Sequence, residues 1–228
     1  MIDSLSQYQA VKDRIKTATE KTGRLVDDVK LIVVSKTYEA SMIRPILEAG
    51  HRCFGENRVQ EAKSKWPALK LEYPDIKLHL IGPLQSNKVS DAVALFDVIQ
   101  TLDRPKLIDA LATEILKQQA KTRLLIQVNT GREPQKAGIL PAEFDAFASM
   151  AKEKLSNQLI GLMCIPPFDE DPKPHFQKLK DLAIGSNLTL TSMGMSADYE
   201  LAVAQGANFV RVGSAIFGER AGSHLVAR

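Results

Sequence analysis

The sequence predicts an α/β protein, a single TIM-type (β/α)8 barrel with an extra N-terminal helix. The first observation is that eight short, β-branched apolar runs alternate with amphipathic helical patterns, as in a parallel sheet. The second is that eight strands is the number that closes a TIM barrel, although about 28 residues per unit is slightly short for that fold. An open doubly wound sheet is the alternative, and the repeat count favours the barrel.

The extra helix comes first, because Leu5, Tyr8, Val11 and Ile15 recur at three- and four-residue steps after Ser4, which resembles a helix cap. The eight apolar runs then predict strands. In chain order they are LIVVSK (31–36), HRCFGEN (51–57), LHLIGPL (78–84), DVIQTLD (97–103), RLLIQVN (123–129), LIGLMCI (159–165), LTLTSMGMS (188–196) and FVRVGS (209–214).

A helical pattern follows each strand. The second helix is predicted to begin at Ser41 and end at Gly50, and the fifth has Asp103 as a plausible cap with Pro105 in its first turn. The patterns cover residues 41–50, 58–66, 86–96, 103–120, 141–155, 175–183, 197–206 and 215–220. No linker or second domain is predicted, so residues 1–228 are expected to form one domain.

Composition excludes several classes of function. A net charge of +3, without a dense basic block, argues against nucleic acid as a partner. The apolar runs are far too short to cross a membrane, and the N-terminus lacks the apolar region of a signal peptide. Cys53 and Cys164 have no metal-binding spacing, and the histidines form no ligand pair. The sequence therefore predicts a cytoplasmic protein with reduced thiols and no metal site.

Polar residues lie where the predicted strands end, which is the active-site face of a TIM barrel. They are Lys36, Asn57, Gln85, Asp103, Asn129, Ser196 and the Gly213–Ser214 pair. Such a ring is expected in any barrel of this type and indicates only that a ligand site lies here.

The segment VRVGSAIFGER makes that site more specific. Gly213 and Ser214 end the last strand and begin a helix, so their backbone N–H groups can point at an anion. A plain tight turn is the alternative, because a glycine-serine pair is common. The neighbouring MGMS segment at the end of the seventh strand favours the phosphate site.

Lys36 and Arg211 add chemistry to the phosphate site. Arg211 alternates with valines in a covered strand, so its guanidinium must find an acceptor. An amine, an inward arginine and a phosphate turn together suggest a phosphorylated cofactor with an aldehyde, which the lysine would hold as a Schiff base. Alternatively, Lys36 reaches solvent and Arg211 pairs with a carboxylate such as Glu56.

With these residues identified, the chain resembles the YggS/PROSC family of pyridoxal 5′-phosphate homeostasis proteins over essentially its whole length. The matching stretches are VSKT, FGENRVQE, HLIGPLQSNK, NTGREPQKAG, GLMCIPP, SMGMSADYELAVAQG and VRVGSAIFGER. The resemblance implies a barrel like the N-terminal domain of alanine racemase, with the extra helix before the first strand.

The resemblance also implies how the cofactor, pyridoxal 5′-phosphate (PLP), is held. Lys36 would carry it as an internal aldimine, and Arg211 would face the pyridine nitrogen. The phosphate would contact Ser196, Gly213 and Ser214. Asn57 and Ile81 would lie near the ring, and Met193, which with Met195 is expected to pack around a ligand or in the core, completes the candidate set. Departures from the family pattern are small: the Thr37–Glu39 segment lacks a proline often found there, and Cys164 replaces a smaller residue.

Two classes of function compete. The first is a PLP-dependent amino-acid racemase or decarboxylase; the second is a binder that carries or buffers the cofactor. A ring nitrogen facing Arg211 stays neutral, which weakens carbanion stabilisation. Related racemases draw a second base, a tyrosine, from a further domain, and here only Tyr38, Tyr73 or Tyr199 could replace it. The sequence therefore favours a PLP carrier with no catalytic residue, monomeric, touching PLP-dependent apoenzymes transiently.

Overall fold

The computed structural model describes residues 3–218, which form a closed barrel of eight parallel strands in chain order. The strands are β1 Lys30–Val34, β2 Cys53–Glu56, β3 Lys77–Leu80, β4 Val98–Leu102, β5 Arg123–Val128, β6 Leu159–Cys164, β7 Leu190–Ser192 and β8 Phe209–Val212. Closure joins β1 to β8, with Val33 beside Val212. The predicted fold class is confirmed, and the open sheet is wrong.

An extra helix precedes the barrel, and the others cover its outside. They are α1 Ser4–Glu20, α2 Ala40–Glu48, α3 Val59–Glu72, α4 Val89–Leu95, α5 Pro105–Gln118, α6 Phe144–Leu155, α7 Pro172–Gly185, α8 Tyr199–Ala204 and α9 Ser214–Phe217. The predicted last helix, 215–220, lies partly outside the described residues. The main core packs between strands and helices, and includes Ile43, Trp66 and Val210.

Several predicted helix starts are wrong, those of α1, α2 and α5 among them. The cap of α1 is Asp3, whose carboxylate accepts from Leu5 N at 3.1 Å, because a carboxylate one residue earlier takes the place predicted for Ser4. Helix α2 begins at Ala40 instead of Ser41. Asp103 does not cap α5, because its carboxylate turns to Arg104 at 2.6 Å.

Helix α3 extends beyond its predicted end at Trp66 and passes through Pro67. Proline inside a helix removes one backbone hydrogen bond and crowds the carbonyl one turn earlier, but Trp66 and Leu69 on either side are buried in the core. Packing therefore outweighs the local signal. The seventh strand shows the opposite error, because β7 ends at Ser192 and the predicted continuation turns at Gly194, whose φ is 89°.

Candidate functional site

A cavity of about 1050 Å³ opens at the carboxyl ends of the strands. Seven of the eight predicted site residues line it: Lys36, Asn57, Ile81, Ser196, Arg211, Gly213 and Ser214. Met193 is fully buried in the main core instead, and Met195 lines the cavity. The fold thus gathers residues from five of its strand ends around one space.

Lys36 lies two residues beyond β1 and enters this cavity. It lies at the same spacing of two residues as the buried Ile32 and Val34, and Val34 also lines the cavity. The Lys36 side chain is partly buried. The sequence left open whether Lys36 reaches solvent or enters a ligand site, and its position in the cavity wall supports the ligand site.

Arg211 lies on the floor of the cavity and is 3% exposed. Its guanidinium donates from Nη1 to Ser192 Oγ at 2.8 Å and from Nη2 to the Cys164 carbonyl at 2.8 Å. Burial lowers the pKa of this guanidinium, but arginine remains a cation in proteins. Within residues 3–218 no carboxylate pairs with it.

Glu56, the acceptor considered for Arg211, is paired elsewhere. Its carboxylate accepts from Ser35 Oγ at 2.7 Å and Trp66 Nε1 at 2.9 Å, and lies 2.8 Å from Lys65 Nζ. The Arg211–Glu56 pair is therefore wrong. The departure at Cys164 is harmless to the arginine contact, because Arg211 uses only its backbone carbonyl.

A buried hydrogen-bond chain supports the arginine from inside the barrel. Ser192 Oγ donates to Gln100 Oε1 at 2.7 Å, and Gln100 Nε2 lies 2.9 Å from His79 Nδ1. Burial lowers the pKa of His79 to about 4, so its ring is neutral and Nδ1 accepts from the amide. The remaining ring N–H lies 3.4 Å from Cys53 Sγ, a thiol whose pKa burial raises to about 12. The chain is uncharged except for its arginine end.

The turn after β8 presents backbone donors to the same cavity. Gly213 N and Ala215 N donate to Ser196 Oγ at 3.2 and 3.3 Å. A Cβ on Gly213 would lie 3.1 Å from the Val34 carbonyl oxygen, so glycine lets the turn pack against the end of β1. This contact brings the turn next to the strand that carries Lys36.

The other polar strand ends serve the loops. Gln85 precedes a short 3-10 turn over residues 86–88, and Asp103 pairs with Arg104. Asn129 holds its own loop, because its Nδ2 donates to the Glu133 carbonyl at 2.8 Å. None of Gln85, Asp103 and Asn129 is among the residues that line the cavity.

Tyr38, which the sequence offered as a candidate second base, lines the cavity. Its ring stacks on Phe217 with centroids 4.4 Å apart, and its hydroxyl donates to the Gly218 carbonyl at 3.1 Å. Other lining residues, among them Arg14, Lys136 and the fully exposed Phe168, were not predicted. Loop and helix residues of this kind carry no periodic signal, so only the fold reveals them. Gln100, which belongs to the hydrogen-bond chain behind the cavity, was also missed, although a polar residue within a buried apolar strand is a signal in the sequence.

Metal and membrane signals are lacking where the structure can be read. Among residues 3–218, no group of three acidic, histidine or cysteine side chains is arranged to hold a metal ion. No helix in that range combines the length and apolarity needed to cross a membrane.

The closed barrel with this strand-end cavity defines the class of the alanine racemase N-terminal barrel. The family model described as alanine racemase, N-terminal domain, matches residues 7–221. Alanine racemase from Bartonella henselae, described with covalently bound pyridoxal phosphate, superposes with a TM-score of 0.72 at 14% identity, over 96% of this chain and 60% of the racemase. That likeness concerns the fold alone.

Closer relatives identify the family. A pyridoxal phosphate homeostasis protein of Aquifex aeolicus is 36% identical over 96% of this chain and 99% of its own length, and that of Escherichia coli K12 is 35% identical over 96% and 98%. PipY of Synechococcus elongatus, solved with PLP bound, has a TM-score of 0.80 and 36% identity over 91% of this chain and 100% of PipY. The chain belongs to the YggS/PROSC family of pyridoxal phosphate homeostasis proteins.

Proposed function

We propose that this chain binds PLP through Lys36 and holds it in reserve for other proteins, as one domain spanning residues 1–228. The observation that carries the proposal is the gathering of Lys36, Ser196, Arg211 and the Gly213–Ser214 turn around one cavity. The curated relatives are named for PLP homeostasis, and PipY binds PLP. Both facts support the same cofactor here.

The residues present match the chemistry of PLP. Lys36 has the primary amine that an aldehyde requires, and the cofactor would supply that aldehyde as an electrophile. The Ser196 hydroxyl accepts from the backbone N–H groups of Gly213 and Ala215, and donors of this kind also suit a phosphate oxygen. Ser214, which is exposed at the same turn, would add its hydroxyl.

Arg211 would face the pyridine nitrogen, with Asn57 and Ile81 beside the ring. The guanidinium only donates hydrogen bonds, so it suits an unprotonated ring nitrogen. Its two hydrogen bonds to neutral oxygens leave its charge without a carboxylate among the described residues. Met193 would contribute by packing in the core next to the site, while Met195 lines the cavity itself.

The same residues favour storage over catalysis. Tyr38 and Tyr199 line the cavity, whereas Tyr73 lies outside it with its ring against Arg52. The Tyr38 hydroxyl donates to a backbone carbonyl, and burial raises the pKa of Tyr199, so neither phenol serves as a base at neutral pH. We therefore infer that the protein has no catalytic residue of its own.

The proposal extends to the protein's setting. We infer a monomer in the cytoplasm that passes PLP to apoenzymes by transient contact. Cys53 and Cys164 are both free thiols, which suits a reducing compartment. The cavity opens to the outside beside the exposed Phe168, so an acceptor can approach it.

Two measurements test the function. Titration with PLP should produce the visible absorption of a lysine adduct at one equivalent, and a colourless protein without bound PLP would contradict the cofactor. The loaded protein is then incubated with a panel of L-amino acids and the products are separated by chirality and mass. We expect no enzymatic turnover; steady racemisation or decarboxylation would overturn the storage role.

A further inference from the structure

The Lys65 side chain binds the backbone of the loop that carries Lys36 on both sides of that residue. Lys65, on α3, donates from Nζ to the carbonyl oxygens of Ser35 and Tyr38, both at 2.9 Å. These carbonyls flank Lys36 and Thr37 in the chain. The Lys65 side chain is only 7% exposed, so the contacts are shielded from water.

The charge of Lys65 is itself held in place. Glu56, which is fully buried at the end of β2, lies 2.8 Å from Lys65 Nζ, and Glu61 on α3 lies 3.4 Å away. Glu56 also accepts from the hydroxyl of Ser35. The ion pair therefore contacts the residue before Lys36 through both its side chain and its backbone.

The backbone of this loop needs such support. Thr37 has φ 68°, in the left-handed region that is costly for a β-branched residue. Its N–H donates to the Glu61 carboxylate. Backbone in a sparsely populated conformation persists only where surrounding contacts hold it. Lys65 and Glu61, four residues apart on α3, supply those contacts.

We propose that Lys65 is a positioning residue, which fixes the direction in which the Lys36 amine enters the cavity. This inference rests on the proposed function. In adduct formation the unprotonated Lys36 Nζ attacks the aldehyde carbon, a C=N bond forms, and the aldehyde oxygen leaves as water. Because the reaction depends on the placement of the amine, loosening its backbone slows it.

The test measures the rate of adduct formation when PLP is mixed with apoprotein. Lys65→Met should form the adduct about tenfold more slowly than wild type. Backbone amides of residues 35–38 should also exchange faster in the apoprotein, which is a readout independent of the cofactor. Lys65→Arg retains the charge and the donors, and should restore most of the rate.

Lys70→Met is the matched control. Lys70 lies on the same helix and also binds one carbonyl and one carboxylate, Leu95 O at 2.9 Å and Asp97 Oδ2 at 2.8 Å. Its contacts are remote from the Lys36 loop, so the adduct rate should stay at the wild-type value.

A second variant guards against misfolding. Lys65→Met leaves Glu56 charged and buried, so Glu56→Gln/Lys65→Met removes both charges while keeping an acceptor for Trp66. Slow adduct formation in the folded double variant supports the inference. A wild-type rate in either folded variant overturns the role of Lys65 and leaves the proposed function standing. A wild-type chain that forms no adduct overturns the proposed function as well.

Discussion

Two buried cations beside the barrel mouth, Lys65 and Arg211, are balanced in opposite ways. Lys65 pairs with the carboxylate of Glu56 at 2.8 Å. Among residues 3–218, Arg211 has neutral acceptors alone, Ser192 and the Cys164 carbonyl, at 2.8 Å each. A cation whose charge is balanced within the fold serves the fold. A cation held by neutral groups keeps its charge for a ligand, and Arg211 faces the cavity that would receive one.

The cost of this arrangement is spread over a polar chain. Burying a guanidinium without a carboxylate is unfavourable unless its donors are satisfied. Ser192 can accept from Arg211 because its own hydroxyl proton goes to Gln100, whose amide in turn meets the neutral ring of His79. The barrel interior thus orients an arginine without neutralising it.

The largest expected effect comes from removing the Lys36 amine, which lies in the cavity that Arg211 faces and on the loop that Lys65 binds. Lys36→Ala should abolish the covalent adduct, because the amine of Lys136, a second lysine in the cavity wall, already donates to the Pro166 carbonyl at 3.0 Å and pairs with Glu133. Non-covalent PLP should remain through the phosphate contacts, measured by equilibrium dialysis. Lys136→Ala, which removes another cavity lysine, is the control and should keep the adduct. An adduct that persists in Lys36→Ala would contradict this role.

The contrast between the two cations predicts unequal costs of removal. Lys65→Met strands a buried carboxylate and should lower the free energy of unfolding by ~3–5 kcal/mol. Arg211→Met strands only neutral acceptors and should cost ~1–3 kcal/mol. Urea denaturation of the two apoproteins measures both. Equal losses, or a larger loss at Arg211, would break the contrast.

The phosphate turn should matter for retention more than for folding. Gly213→Val places side-chain atoms against Val34 and should displace the turn, raising the Kd for PLP about tenfold, or ~1.4 kcal/mol. Gly185→Ala is a control, because a Cβ there meets no atom within 4 Å. An unchanged Kd in Gly213→Val would exclude the turn from binding.

The smallest effect concerns the neutral end of the Arg211 chain. Burial lowers the pKa of His79 to about 4, below its ordinary value of 6.5. Between these values the unfolded chain binds the extra proton, so stability is lost as the pH falls from 6.5 towards 4. At pH 5.5 the loss from His79 should be about 1 kcal/mol.

Replacing His79 separates its contribution to the pH dependence of stability from that of His51. The pKa of His51 is also lowered to about 4 by burial, so it weakens the fold in the same pH window. Urea denaturation at pH 7.5 and 5.5 should show about half the wild-type loss in His79→Gln. An identical loss would mean that His79 is not held neutral.

The sequence predicted the barrel and most of its cavity because both follow from local patterns. The strand runs, the lysine that ends the first of them, and the glycine turn after β8 are each readable within a few residues. Local signals failed where packing outweighed them, as at Pro67, which α3 passes through. They also placed the end of β7 too late, since alternation alone does not say where a strand ends.

The polar networks could not be read in the same way. Ser192 and Gln100 meet across 92 positions of sequence, and Lys65 reaches Ser35 across 30. Nothing in the chain near Lys65 distinguishes it from Lys63, which pairs with Asp91 at the surface. Contacts of this kind depend on closure of the barrel, so they follow from the fold rather than from a motif.

Borohydride reduction of the PLP-loaded protein, followed by peptide mass mapping, tests most directly whether Lys36, just beyond β1, is the residue that binds the cofactor. We expect one reduced adduct, on the peptide that contains Lys36, at a stoichiometry near one. An unchanged mass, or an adduct confined to any other lysine, would contradict the assignment of Lys36 as the residue that binds PLP.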